Sequence, residues 1–311
     1  MPSLLYGIEA KMLDAIDVLC VGQASYDLVF SVSRHPGPDE KSVASLFTGC
    51  GGGPAANAAV TAARLGCRAA FAGYLGDDHY GRLHLEELAR ERVWTDFVYR
   101  GAAPTPLSVI LVKPDGKRTV VNYKDPAIPS PGNQAAVPSD CRPKVILFDG
   151  HEPHLASVFL EYAGRSGIPT VLDAGSVHAG TRKIVGAVDY LVASEKFSRD
   201  FTGEKDTVRA AQKLKNHAPA VVITRGQAGL VWQTAAGGGQ LDAFGVEALD
   251  TTGAGDAFHG AFAAGLSQKM VWPELLRYSS AAGALACTRY GARPAIPTAD
   301  EVDRFLKTAG K

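Results

Sequence analysis

The sequence predicts an α/β protein: a doubly wound, mostly parallel sheet flanked by helices, with a small β-sheet projecting from it as a lid. Two observations carry this. Short, solidly apolar runs alternate with helical patterns over most of the chain, as expected of strands buried on both faces and joined by crossover helices. Four other β-rich stretches alternate apolar and polar residues, which indicates strands with one wet face. Those four fit poorly in a sandwich covered by helices on both sides, so they are assigned to a separate sheet.

The elements follow in order. Residues 1–16 read as an extension, and a single α/β domain then occupies 17–311. Asp17-Val-Leu-Cys-Val-Gly22 is the first strand, apolar and closed by glycine. The alternating stretches Leu28–Val32 and Ser42–Phe47 come next, separated by His35-Pro-Gly-Pro-Asp39. A second alternating pair, Leu107–Val112 and Arg118–Tyr123, is joined by Lys113-Pro-Asp-Gly116. Proline presets φ and glycine supplies a positive one, so Pro-Asp-Gly between β-rich runs marks a tight turn. The lid strands therefore come from about 27–48 and 106–123. Body strands are Ala69–Gly73, Val145–Phe148, Thr170–Leu172, Tyr190–Ala193 and Val221–Thr224. Helical patterns cover Ala55–Leu65, Tyr80–Arg92, Leu155–Ser166 and Thr207–Asn216. Gly237–Gly239 reads as a hairpin tip, and Thr298-Ala-Asp-Glu301 as a capping box opening a last helix.

Composition narrows the function. Thirty-two basic side chains balance thirty-two acidic ones, which removes the electrostatic argument for a nucleic-acid or membrane-surface partner. The five cysteines are dispersed with no CxxC pair, which suits buried thiols in a reducing compartment. Charges at Glu9, Lys11 and Asp14 interrupt any signal-peptide core, and no apolar run approaches the roughly 20 residues that span a bilayer. A cytoplasmic protein is expected.

The most informative stretch is Asp250-Thr-Thr-Gly-Ala-Gly-Asp-Ala-Phe258. Gly253 and Gly255 let the backbone approach a ligand closely. A helix starting here presents free N–H groups and its positive dipole end to an anion. Asp256 would lie in the same first turn, where a carboxylate can orient an attacking hydroxyl and take its proton. Phosphoryl transfer needs little beyond such positioning and charge stabilisation. The plainer reading is a helix start with a small-residue packing face.

Asp250-Thr-Thr-Gly-Ala-Gly-Asp256 resembles the C-terminal signature of the ribokinase-like (PfkB) carbohydrate kinases, and Gly51-Gly-Gly-Pro-Ala-Ala-Asn57 with Arg64-Leu-Gly66 resembles the N-terminal one. Gly76-Asp-Asp-His-Tyr-Gly81 is similar to a further family segment, and the likeness runs from about residue 17 to the end. It implies ATP-dependent phosphorylation of a sugar or sugar-like hydroxyl, with Asp256 as base and Gly253, Ala254 and Gly255 as the anion hole. It implies sugar contacts from Asp27, Gly52, Gly53 and Asn57. Thr224, Gly226 and Gly229 match the family's Thr-x-Gly-x-x-Gly nucleotide turn, and Ser194 is placed with them. Asp250, Thr252, Ala286, Arg289 and Gly291 match a monovalent-cation site, several through backbone carbonyls, so K⁺ joins ATP and Mg²⁺ as an expected cofactor. Lid strands in this family can pair between subunits, so a homodimer is a further expectation.

One departure concerns magnesium. The family's Asn-x-x-Glu motif is here Ser194-Glu-Lys-Phe197. Asp149 and Gly150 read as rim residues near the substrate. Arg34, Lys41, Arg118 and Lys124 on the lid read as edge charges that protect exposed strands or, alternatively, as contacts for an anionic substrate. There is no GxxxxGK[ST], which excludes a P-loop mechanism, and His151-Glu-Pro-His154 lacks the spacing of a zinc helix. Two rival functions remain. Gly51-x-Gly53-x-x-Ala56 followed by Asp77 fits a relaxed dinucleotide fingerprint, hence an oxidoreductase. A non-catalytic sugar- or nucleotide-binding protein on the same fold is the other.

Overall fold

The computed structural model describes residues 16–128 and 141–309, so the extension read at 1–16 lies outside the described residues except for Ile16. The chain forms β1 (Val18–Val21), β2 (Ser25–Ser31), β3 (Leu46–Gly52), α1 (Pro54–Arg64), β4 (Ala69–Gly76), α2 (His79–Arg90) and β5 (Trp94–Gly101). It continues through β6 (Leu107–Val112), β7 (Arg118–Tyr123), β8 (Val145–Phe148), α3 (Pro153–Ser166), β9 (Thr170–Ala174), α4 (Ala179–Ile184) and β10 (Tyr190–Ser194). Then follow α5 (Glu195–Thr202), α6 (Thr207–Leu214), β11 (Ala220–Thr224), β12 (Leu230–Thr234) and β13 (Gly237–Leu241). The chain ends with α7 (Ala254–Ser267), α8 (Trp272–Ala286), α9 (Ala292–Ala295) and α10 (Ala299–Ala309).

The body is a nine-stranded sheet in the order β13-β12-β11-β10-β9-β8-β1-β4-β5. Every pair from β5 to β11 is parallel, and β12 and β13 add an antiparallel edge. Strands β1, β4, β8 and β9 are buried along their whole length, which is why they read as unbroken apolar runs. Alternate residues feed two cores. Val18 and Cys20 pack with α1, α7 and α8, while Leu19 and Val21 pack with α3 to α6. The strand order reverses at β1, with β4 on one side and β8 on the other, and ligands of open α/β sheets bind beyond the carboxyl ends at such a point.

Helix boundaries follow local chemistry. Pro54 and Pro153 open α1 and α3, where the missing N–H costs nothing. Asp78 accepts from the Gly81 N–H to cap α2, and Asp206 accepts from Val208 and Arg209 to cap α6. Half of the box expected at Thr298–Glu301 forms: the Thr298 N–H donates to Glu301 Oε2 at 2.8 Å, but the Thr298 hydroxyl donates to the same oxygen and the Glu301 N–H goes to the Thr298 carbonyl.

The second sheet has the order β3-β2-β6-β7, and its two antiparallel hairpins meet in a parallel β2–β6 pair. Three readings shift and one strand was not read. The strand expected at Ser42–Phe47 runs instead from Leu46 to Gly52, so the glycines are part of it. Gly237–Gly239 is not a hairpin tip but lies within β13, and Ala235-Ala236 makes the turn. Strand β5, interrupted by Asp96 and Arg100, gave no periodic signal. The dinucleotide reading fails because β3 pairs antiparallel with β2 in the small sheet, whereas that fingerprint needs a parallel body strand leading into its glycine turn. Among the described residues no helix is long and apolar enough to cross a membrane.

Candidate active site

The residues expected to contact the sugar lie where the small sheet meets the body. Asp27 is 5% exposed within β2, and its Oδ1 accepts from Ser25 Oγ at 2.9 Å. Burial raises its pKa, opposed by the Ser25 and Ser108 hydroxyls. Gly52 has to be glycine here because a Cβ would overlap the Asp27 carboxylate. Gly53 caps α1 at φ 95°, a region that L side chains avoid, and a Cβ there would overlap the Gln23 carbonyl. Asp149 is not the rim residue expected. It is 2% exposed, and its carboxylate accepts from the backbone N–H groups of Gln23 (2.8 Å), Ala55 (3.1 Å) and His151 (2.8 Å). It staples the acceptor loop to β8.

Helix α7 begins as the glycine motif predicts. Gly253 is its cap in the left-handed region at φ 77°, with Ala292 packed where a side chain would go. Asp256 lies in the first turn, and Asn57 Nδ2 from α1 donates to its Oδ2 at 2.7 Å. This bond brings the expected base and the acceptor-side glycine loop into one site. Burial holds the Asp256 carboxyl above the usual carboxylate range. Asp173 at the end of β9 adds to that shift, and the Asn57 bond opposes it. Asp173 is itself 6% exposed and pushed up to about 8, by burial and then by Asp149. His259, one turn along α7, has Nδ1 2.6 Å from the Gly255 carbonyl and Nε2 3.2 Å from that of Val192 in β10. Its Nδ1 is also 3.3 Å from Asp173 Oδ2, so the start of α7 is tied to the carboxyl ends of β9 and β10.

The residues expected to bind nucleotide gather on the neighbouring strands. Ser194 and Thr224 are register partners at the ends of β10 and β11. The Ser194 hydroxyl donates to Gly175 O at 2.8 Å and accepts from Phe197 N at 2.9 Å, so it caps α5. Gly226 (φ 57°) faces open space, while a Cβ on Gly229 (φ 77°) would overlap the Leu241 carbonyl. Gly226 is therefore the freer of the two to meet a ligand. Phe197 is buried against Phe201, so the expected magnesium motif has no carboxylate at that position.

Three of the expected cation residues converge. Asp250 is 1% exposed, and its carboxylate accepts from Thr252 N (2.8 Å), Thr252 Oγ1 (2.6 Å) and Gly291 N (2.9 Å). All three donors are neutral. Ala286 ends α8 just before Cys287, whose carbonyl accepts from the N–H groups of Leu249 and Asp250. The Arg289 side chain turns away to pair with Glu301.

Of the lid cations, Arg34 pairs with Glu40 and Lys124 with Glu152, and Lys41 is exposed. Arg118 behaves differently, its Nη1 donating to Thr251 Oγ1 at 2.8 Å beside the glycine motif. Strand alternation could have assigned it. Arg118 is opposite Val112, which is opposite Ser31, and Ser31 shares a face with Asp27.

The pfkB family carbohydrate kinase profile matches residues 15–299. Ribokinase of Bacillus subtilis (strain 168) is 27% identical over 293 residues, covering 93% of this chain and 99% of its own. The 5-dehydro-2-deoxygluconokinase of Bacillus thuringiensis (strain Al Hakam) is 26% identical over 321 residues, covering 94% and 96%. The ribokinase structure from Thermotoga maritima aligns with a TM-score of 0.78 at 29% identity, covering 94% of this chain and 99% of that one. Arabidopsis thaliana ribokinase complexed with ribose and ATP aligns with a TM-score of 0.81 at 25% identity, again covering 94% and 99%. A profile spanning almost the whole chain means that this protein belongs to the pfkB family of carbohydrate kinases.

Proposed function

We propose that this kinase moves the γ-phosphoryl of ATP onto a hydroxyl of a sugar held between Asp27 and Asp256. Asp256 takes the hydroxyl proton, and the N–H groups of Gly253, Ala254 and Gly255 receive the charge that develops on the phosphoryl. The observation that carries this reading is the 2.7 Å bond from Asn57 to Asp256, which joins the acceptor loop to the first turn of α7. Asp27 can accept two hydroxyl hydrogen bonds from a vicinal diol, and the glycine at 52 leaves room for that carboxylate. Thr224 and Gly226 take the nucleotide, with Arg118 reaching from the lid towards its phosphates.

ATP brings Mg²⁺ with it, because the triphosphate charge needs neutralising. Ser194 and Phe197 give that ion no carboxylate, and no protein ligand is assigned to it. A monovalent cation fits near Asp250, a buried carboxylate satisfied by neutral donors and left without a counter-charge among them. Bound there, it would steady the loop that leads into the anion hole. A second copy of the chain suits the outer face of the lid, where Phe47, Val121 and Tyr123 are 56%, 64% and 51% exposed.

The test is ADP release over a panel of ribose, fructose and 5-dehydro-2-deoxygluconate, with and without K⁺, using parent protein and Asp256→Asn. The variant is expected to lower kcat on the preferred sugar by about 10²–10⁴. Full activity in the variant would remove Asp256 as base, and equal rates without K⁺ would remove the cation.

A further inference from the structure

Resting on the assignment of Asp256 as base, we propose that Arg293 is a positioning residue for it. Arg293 fixes the direction of the Asn57 amide, and so holds one Asp256 oxygen while leaving the other for the acceptor hydroxyl.

The argument starts from donor counting. Arg293, in the short helix α9, is 1% exposed, and its Nε and Nη2 lie 3.3 and 3.1 Å from Asn57 Oδ1. A guanidinium only donates, so the amide oxygen of Asn57 has to face it. The Asn57 NH₂ is then forced towards Asp256, where the Nδ2···Oδ2 distance is 2.7 Å. Turning the amide over would set NH₂ against guanidinium and carbonyl against carboxylate, two repulsive contacts in place of two attractive ones.

Stability does not explain this arginine. Its Nη1 is buried with no hydrogen-bond partner, and the nearest carboxylate oxygen, Glu87 Oε2, is 3.6 Å away. That oxygen already accepts from the Gly51 N–H at 2.6 Å. His84 is buried against the same cluster with neither ring nitrogen bonded. Such a group is costly to desolvate, and apolar replacements of buried ion pairs are often neutral or stabilising. The sequence also gives up a side chain for it, since a Cβ on Gly51 would overlap Arg293 Nη1.

The support is rigid. Arg64, on the same helix as Asn57, donates from Nη1 to the carbonyls of Arg293 (3.1 Å) and Ile296 (2.7 Å). It is itself held by Glu91 through contacts of 2.8 and 2.6 Å. The helix that carries the amide and the one that carries its orienting cation are therefore fastened together. The other charged or titratable groups acting on Asp256 are Asp173 from β9, Asp27 from the lid and His259 on α7 itself. Asp173 and His259 approach from the body, whereas the Asn57 bond leads back to Arg293, whose charge also acts on Asp27.

A double-mutant cycle on the full chain tests this, with kcat measured against pH by ADP release on whichever of ribose, fructose and 5-dehydro-2-deoxygluconate reacts fastest. Arg293→Met is expected to lower kcat about 10–100-fold and to move the acidic limb of the profile upward, because the ionised base loses a charge-assisted bond. On an Asn57→Ala background the same substitution is expected to do neither. An unchanged kcat and limb in Arg293→Met, or an equal loss on both backgrounds, overturns the proposal. If Arg293→Met does not melt cooperatively, Arg293→Gln replaces it in the cycle, since its amide can accept as well as donate and no longer dictates which way Asn57 faces. Parent-like behaviour of Arg293→Gln would then overturn the proposal. Asp256→Asn in the same assay separates the two ideas: activity in that variant sinks the base, whereas a dead Asp256→Asn beside a normal Arg293→Met sinks only the positioning role.

Discussion

The body sheet and the lid sheet are both built from β-rich runs, yet they meet water in opposite ways. Strands β1, β4, β8 and β9 have no exposed residue, whereas every residue of β7 is exposed. Within the lid burial is uneven even on one face: on the Asp27 side Ile110 and Val112 are 3% and 4% exposed but Val120 and Leu46 are 41% and 59%, and Val121 on the other face is 64% exposed. The body is stable through its own burial and can carry a buried carboxyl, as at Asp173. The lid depends on what it covers.

Three substitutions sharpen that contrast. The largest effect is expected on the covered face of the lid. Gly52→Ala drives a methyl into the Asp27 carboxylate, and kcat/KM for the preferred sugar should fall by about 100-fold while the melting temperature barely moves. A variant with parent kinetics would mean that Asp27 does not meet the sugar.

The next probe lies in the body. Asp173 has a native pKa of about 8 against an ordinary value of 3.8. Between those values the native state holds a proton that the unfolded chain has released, so stability should fall as pH rises across the window, by at most about 1.4 kcal/mol per pH unit. Asp173→Asn should flatten the slope in urea melts at pH 5, 6 and 7. The same slope in parent and variant would show that Asp173 is ionised throughout.

The smallest effect is expected on the outer face of the lid. Val121→Lys should change stability by no more than about 0.5 kcal/mol but split a dimer into monomers in light scattering. A parent protein that is already monomeric at all concentrations would leave that face without a second copy.

How far the sequence could be read follows from the same division. Body strands were legible because burial on both faces leaves an unbroken apolar run, as in Val145–Phe148. Strand β5 was not, since Asp96 and Arg100 break its pattern at a sheet edge. Strand β3 was misplaced because its last residues are glycines, which look like loop. Those glycines make way for Asp27 at Gly52 and for Arg293 at Gly51, reasons held by other parts of the chain. The glycine motif at 253–256 was readable, because a helix start and its carboxylate are local. Arg293, His259 and Asp173 escaped notice because their partners are distant in sequence. Asn57 and Arg293 are 236 positions apart, and no pattern in either neighbourhood announces the contact.

Two rows of the lid fix its mechanics. Gly52, Ser25, Tyr26, Leu107 and Tyr123 are register partners along the edge where the chain enters and leaves the body. Leu46, Ser31, Val112 and Arg118 form the opposite row, and there the attachment is the hydrogen bond from Arg118 to Thr251. The plate thus has a covalent hinge with four crossings on one side and a releasable clasp on the other. Asp27 sits close to the hinge line, where rotation displaces atoms least, so sugar contacts would survive a swing that carries Arg118 clear of the phosphate end. Any such swing would have to break the Arg118–Thr251 bond and would leave the Asp27 end standing.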